Sequence, residues 1–239
     1  MTSNTLRICI LENGQTPDDL VGEFGSYPSM IERWIAPFLP EATFTYLSPV
    51  RGEALPDPDA FDGYILSGSK YSTYERAPWM LDLIAFLQAL KARAIPVFGI
   101  CFGHQIMADA YGGKTTKASN GWGVGAQHYE YTEGAGPTAA PAYIFHQDQV
   151  TTLPPGATCI GGSLHCLNGV ISYDFPALSV QYHPEFTAAY IHALATKYRG
   201  SLLPETISQG ALDSIESLEV DNRQISNWAA SFFLEHAQR

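Results

Sequence analysis

Between Pro96 and Lys114 the chain reads Pro-Val-Phe-Gly-Ile-Cys-Phe-Gly-His-Gln-Ile-Met-Ala-Asp-Ala-Tyr-Gly-Gly-Lys, a stretch that restricts the possible folds more than any other. The apolar run Val97 to Ile100 predicts a buried strand. Ile106, Met107 and Ala110 recur at helical spacing before Gly112-Gly113, which predicts a helix and its stop. Strand passes to helix through Gly99-Ile100-Cys101-Phe102-Gly103, the pattern of a nucleophile elbow with Cys at its apex. Such a turn is tight, so the residues two positions on either side must be small. The apex residue stores backbone strain and points its side chain outward. It also sits at a helix N-terminus, where the positive end of the dipole favours a thiolate. The same residues admit a plainer reading. A Cys in an apolar run packs in a core, and two glycines let a strand and a helix approach closely. A catalytic Cys needs a His elsewhere and an acid behind it, so the rest of the chain decides.

Taken in order, Leu6 to Leu11 predicts a first buried strand, with Cys9 as a packing residue. The polar, Gly-rich segment Gly14 to Tyr27 follows as a loop. Met30, Ile31, Trp34, Ile35 and Phe38 then predict a helix ending before Pro40. Thr43 to Leu47 is a second strand and Gly63 to Leu66 a third, which ends in Ser67-Gly68-Ser69-Lys70. A small-residue loop at a strand end can turn backbone N–H groups toward a developing oxyanion, and it can equally be an ordinary connection. Met80 to Leu90 is a helix that buries Leu83, Phe86, Leu87 and Leu90. Strands alternating with helices imply an α/β fold: a parallel, doubly wound sheet with right-handed crossovers.

After Gly113 the texture changes to short extended segments rich in Gly, Thr and Tyr, with a hairpin signal at Leu167-Asn168-Gly169. This half predicts antiparallel strands laid beside the parallel sheet. Ala177 to Gln181 is one more apolar strand, and Thr187 to Arg239 is a helical tail broken at Gly200 to Pro204 and near Gly210. The 239 residues suffice for one sizeable core, and a chain only 15% charged is globular. The net charge of −11 argues against a nucleic-acid surface and an anionic membrane surface. No apolar run approaches a membrane span, and the first seven residues lack a signal-peptide core. Cys9, Cys101, Cys159 and Cys166 form no C-x-x-C pair, as expected of reduced thiols in a cytoplasm-like compartment.

The His that Cys101 requires has a candidate in His183, at the end of the Ala177 to Gln181 strand. Parallel strands bring such ends to one edge of a sheet. Glu185 lies two residues on, so His183-Pro184-Glu185 supplies locally the acceptor that orients an imidazole as a base. A His at a strand end is also commonly a surface residue. The zinc-deaminase reading of His-x-Glu fails, because no Pro-Cys-x-x-Cys follows.

Gly-Ile-Cys-Phe-Gly-His-Gln followed by Gln-Tyr-His-Pro-Glu-Phe resembles the class I glutamine amidotransferases, over roughly residues 5 to 190. The resemblance implies a flavodoxin-like fold with a small antiparallel sheet, in a single domain over residues 1–239 whose extension begins near residue 191. It implies a triad of Cys101, His183 and Glu185, and an oxyanion hole from the N–H groups of Phe102, Gly68 and Ser69. Gln105 falls where the family contacts the amino-acid end of its substrate, and His146, in His-Gln-Asp-Gln-Val, is a second candidate there and an alternative base. No metal or organic cofactor is implied. The Ser-Gly-Ser-Lys loop is closer to stand-alone γ-glutamyl peptidases and GMP-synthase-like members than to synthase-coupled ones, which carry Ser-Gly-Gly-Pro or Ser-Asn-Gly-Pro. The expected activity is therefore hydrolysis of a γ-glutamyl amide or peptide through a thioester, with Gly14 to Tyr27 and Tyr71 to Tyr74 walling a wide leaving-group side and Lys70 free to meet a carboxylate. The alternatives are a glutaminase subunit that hands ammonia to a separate synthase, and a non-catalytic binding protein. The partners expected are a small glutamine or γ-glutamyl substrate and either a synthase or a second copy of the chain.

Overall fold

The computed structural model describes residues 5–237; the first four residues, which bear on the absence of a signal core, and the last two of the tail lie outside them. The first half alternates as its periodicity predicts: β1 (Arg7–Leu11), α1 (Val21–Phe24), α2 (Tyr27–Ile35), β2 (Thr43–Leu47), β3 (Gly63–Leu66), α3 (Pro78–Ala92), β4 (Val97–Ile100) and α4 (Phe102–Ala110). The strand-rich half holds β5 (Lys114–Lys117), β6 (Gly123–Tyr131), β7 (Ala140–His146), β8 (Asp148–Thr152), β9 (Ala157–Gly162), β10 (Val170–Tyr173) and β11 (Ala177–Val180). The tail forms α5 (Ala188–Lys197), α6 (Glu205–Ser217) and α7 (Arg223–His236).

Among the described residues nine strands make one sheet in the order β2-β1-β3-β4-β11-β10-β9-β6-β7, while β5 and β8 pair separately as a small antiparallel sheet. The strands β2, β1, β3, β4 and β11 run parallel. From β10 onward the pairing is antiparallel. Most of the antiparallel half thus extends the parallel sheet edge to edge instead of lying beside it. This is the flavodoxin-like, mainly parallel sheet that the family resemblance implied, and the structural neighbours reported below share it.

Alternation along each strand sends neighbouring side chains to opposite layers. Ile8 and Ile10 of β1 join Ile31, Trp34, Phe98 and Val180 under α2 and α7. Cys9 and Leu11 join Tyr64, Leu83, Val97 and Ile106 under α3 and α4. Helices on both faces explain why every residue of β3, β4 and β11 is buried. Each fully buried aliphatic side chain there stabilises the fold by about 1.5–3 kcal/mol. Helix starts carry their own signals: Ser26 Oγ accepts from Ser29 N at α2, and Thr187 Oγ1 accepts from Tyr190 N at α5.

The tail corrects one expectation. Gly210 does not break a helix but lies within α6; the break falls after Ser217. Gly costs a helix interior about 1 kcal/mol relative to Ala, and burial of Ser208 and Ala211 against the core outweighs it. α7 is fitted closely to the sheet. A Cβ at Gly63 would lie 2.7 Å from the Phe233 ring, so a side chain at the start of β3 and this ring exclude each other. No helix among the described residues is long and apolar enough to cross a membrane.

Candidate active site

Cys101 occupies the single residue between β4 and α4, with φ 53° and ψ −102°. A non-glycine residue in that region costs about 1–3 kcal/mol and persists only where its surroundings dictate it. Here they do. Cys101 N donates to Val180 O at 2.9 Å, and Gln105 N donates to Cys101 O at 3.1 Å. The flanking glycines are required for space: a Cβ on Gly99 would meet Met107 Sδ at 2.5 Å, and one on Gly103 would meet Leu66 O at 2.6 Å.

The register Ile100↔Val180 sets the ends of β4 and β11 side by side, which brings His183 to Cys101. His183 N donates to Tyr143 O at 2.8 Å, and the ring stacks on Phe186 with centroids 3.9 Å apart. Nδ1 donates to Glu185 Oε1 at 2.8 Å, since a carboxylate can only accept. Burial alone pushes the His183 pKa down, but the charges of Glu185 and Cys101 and the hydrogen bonds to both outweigh it, raising it to about 10. The imidazolium is therefore the favoured form at neutral pH. With Nδ1 committed to Glu185, Nε2 is the nitrogen left to exchange a proton with a group at Cys101. The three side chains expected to act together are thus in one place.

The loop after β3 closes on this pair. A Cβ at Gly68 would fall 2.7 Å from His183 Cε1 and 3.6 Å from Cys101 Cβ, so the backbone of Gly68 lies directly against both. Ser69 lines the adjoining cavity, and Phe102 opens α4, where first-turn N–H groups have no intrahelical acceptor. Asn13, which sequence reasoning passed over, and Gly14, the first residue of the expected Gly14 to Tyr27 loop, hold this loop. Asn13 N donates to Ser67 Oγ at 2.9 Å and Asn13 Nδ2 to Ser67 O at 3.2 Å; Ser67 Oγ donates to Gly68 O at 3.0 Å. A Cβ at Gly14 would meet Ser69 Cα at 2.5 Å. The only available signal was their place just after a buried strand, and it carries weight only once β1 is known to adjoin β3.

A cavity of about 280 Å³ opens over Cys101. Both candidate substrate contacts line it. Gln105 Nε2 donates to Asp148 O at 2.9 Å and to Gln181 Oε1 at 3.1 Å, which fixes its amide. His146 Nδ1 donates to Asp148 O at 3.2 Å; burial, aided by nearby His165, pushes its pKa down to about 3, so it is neutral. Gln15, Pro17 and Tyr27 line the cavity on one side, with Lys70, Tyr71 and Tyr74 from the loop after β3. Trp122, Phe145 and the tail residues Leu194, Tyr198 and Leu202 also line it, and no local pattern had marked them. The remaining thiols are elsewhere. Burial raises the pKa of Cys9 and of Cys166 to about 12, and Cys159 Sγ donates to Leu167 O at 3.2 Å.

Residues 44–192 match the family described as glutamine amidotransferase class-I. Gamma-glutamyl peptidase 5 of Arabidopsis thaliana is 28% identical over 187 residues, 74% of each chain. A glutamine amidotransferase-like protein of Gibberella zeae is 27% identical over 246 residues, covering 96% of this chain and 98% of that one. The solved structure of a glutamine amido transferase from Methylobacillus flagellatus has the same fold, with a TM-score of 0.80 at 21% identity and coverage of 99% and 97%. The matched span runs from β2 into α5 and so takes in the elbow, the loop after β3 and His183 with Glu185; the chain belongs to the class I glutamine amidotransferases.

Proposed function

We propose that this chain is a cysteine hydrolase that cleaves γ-glutamyl amide bonds, in glutamine or in γ-glutamyl amides and peptides, and releases glutamate. The observation that carries the reading is His183 held between Glu185 Oε1 at 2.8 Å and Cys101, with the Gly68 backbone packed on both. In this reading the Cys101 thiolate attacks the γ-carbonyl carbon. The N–H groups of Phe102, Gly68 and Ser69 receive the oxyanion, each such donor contributing roughly 2.7–4 kcal/mol. Collapse of the tetrahedral intermediate breaks the C–N bond as His183 gives the Nε2 proton to the departing amine. Water, deprotonated by the now neutral His183, attacks the γ-glutamyl thioester; glutamate leaves and the thiolate–imidazolium pair returns. Glu185 keeps Nδ1 protonated and steadies the imidazolium, while Gln105 and His146 contact the glutamyl end.

The relatives support a stand-alone hydrolase, since one of them is named a gamma-glutamyl peptidase. Four free thiols support a reducing compartment such as the cytoplasm. Glutamate release from glutamine and a panel of γ-glutamyl compounds, with wild type and Cys101→Ala, tests the proposal. Turnover by the unaided wild type and none by Cys101→Ala is the expected result. Full turnover by Cys101→Ala refutes the covalent route, and turnover that appears only with an added synthase favours an ammonia-supplying subunit.

A further inference from the structure

If the departing group were only ammonia, the site would need little space beyond the glutamyl group, because a molecule of that size needs a cavity of only roughly 10–15 Å³. The cavity over Cys101 measures about 280 Å³. One of its walls is aromatic and continuous. Trp122 packs edge-on to Phe145 with centroids 5.6 Å apart, and Phe145 packs on Tyr198 at 5.9 Å. All three rings are partly buried against the cluster that contains Phe186. Phe186 in turn stacks on His183. The three rings and His183 line one cavity, so the aromatic wall and the imidazole that delivers the proton face the same space.

The rim adds a charge. Lys117 and Lys70 both line the cavity and, among the described residues, neither enters an ion pair, in a chain whose net charge is −11; the Lys70 ammonium lies over the Tyr71 ring, 5.4 Å from its centroid. The acid on this rim is Asp148, which stands opposite Lys117 across the β5–β8 pair and whose Oδ1 accepts from Tyr74 OH at 3.1 Å. Aromatic rings and two ammonium groups against a single acid at the mouth of one pocket match a ligand with a flat apolar body and a carboxylate. Tyr198 lies outside the span matched by the family, so this wall is partly built from the chain's own tail.

We propose that the wall of Trp122, Phe145 and Tyr198, with Lys117 at its rim, is a leaving-group subsite for an aromatic α-amino acid, which makes γ-glutamyl dipeptides of Phe, Tyr or Trp the substrates. The inference rests on the hydrolase reading above. The ring of the second residue lies against the three aromatic side chains and its α-carboxylate faces Lys117. Cleavage adds water across the isopeptide bond and yields glutamate and the free aromatic amino acid.

The experiment compares kcat/KM of the full chain for γ-glutamyl-phenylalanine, γ-glutamyl-alanine and γ-glutamyl-phenethylamide. Burying a phenyl ring predicts a phenylalanine-to-alanine preference of about 10–100-fold. Tyr198→Ala and Trp122→Ala each bring that ratio toward one. Lys117→Met lowers the ratio of phenylalanine to phenethylamide substrate about 5-fold, because only the first has a carboxylate to lose. Binding to Cys101→Ala, measured by calorimetry, gives a readout independent of turnover, and the same preference is expected there. No preference for phenylalanine over alanine in Cys101-dependent turnover overturns the subsite and leaves the hydrolase reading standing. A binding preference without turnover by wild type overturns the hydrolase reading and leaves the subsite. Should an alanine variant fail to fold, Tyr198→Leu and the wild-type ratio still decide the matter.

Discussion

Gly68→Ala adds one methyl group where the loop after β3, the thiol and the imidazole meet. Gly68 does not adopt a positive φ, so alanine brings no backbone strain. What it brings is volume, 2.7 Å from His183 Cε1 and 3.6 Å from Cys101 Cβ. Return to an ordinary 3.4 Å contact requires a retreat of about 0.7 Å somewhere in the site. The imidazole is poorly placed to retreat, being held by Glu185 at 2.8 Å on one edge and by the Phe186 ring on its face. The loop therefore moves, and with it the N–H groups proposed to meet the oxyanion. A misplacement near 1 Å costs on the order of 100-fold in rate, so kcat/KM for any γ-glutamyl substrate is expected to fall by about that factor. Overpacking costs about 1–3 kcal/mol of stability. At 2–4 °C per kcal/mol for a chain of this size, Tm falls by roughly 2–12 °C. Glutamate release and a melting curve on the same preparation check both numbers. A folded Gly68→Ala variant with wild-type kcat/KM refutes the reasoning, because it means that the loop's backbone does not meet the reaction.

Glu185→Gln tests the charge linkage. The folded pKa of His183, about 10, lies above its ordinary 6.5, so the stability it contributes is complete below pH 6.5 and is lost as pH rises toward 10. The Tm gap between wild type and Glu185→Gln is therefore widest near pH 6 and narrows by pH 10, and a gap that grows with pH contradicts the assignment. His183→Ala is expected to lose activity more completely than Glu185→Gln, since one transfers the proton and the other orients the ring. Ser67→Ala strips the buried Asn13 N–H of its acceptor, at about 1–3 kcal/mol, and frees the loop that Gly68 belongs to; urea titration with kcat measured alongside shows whether both fall together.

What the sequence made legible was local. The elbow could be read because strand, turn and helix are contiguous, and the space demanded by Gly99 is set by Met107 and Gly103 close by, although that demanded by Gly103 is set by Leu66 of β3. His183 and Glu185 could be read because they are two residues apart. Bringing them to Cys101 required knowing that β11 inserts next to β4, and nothing in either strand names its neighbour. Asn13, the close packing of Gly14 on Ser69 and the tail's Tyr198 stayed hidden for the same reason: each matters through an element distant in the chain. Gly210 misled because propensity was weighed without the packing of Ser208 and Ala211 beside it.

The insertion of β11 beside β4 also orders events in time. Ile100 and Val180 pair across about 80 residues, a contact that folding reaches late. At synthesis rates of about 5–20 residues per second, the stretch between them takes roughly 4–16 s to emerge. For that interval the nascent chain carries Cys101 without His183. Hydrolysis by the proposed route therefore waits for closure of the sheet.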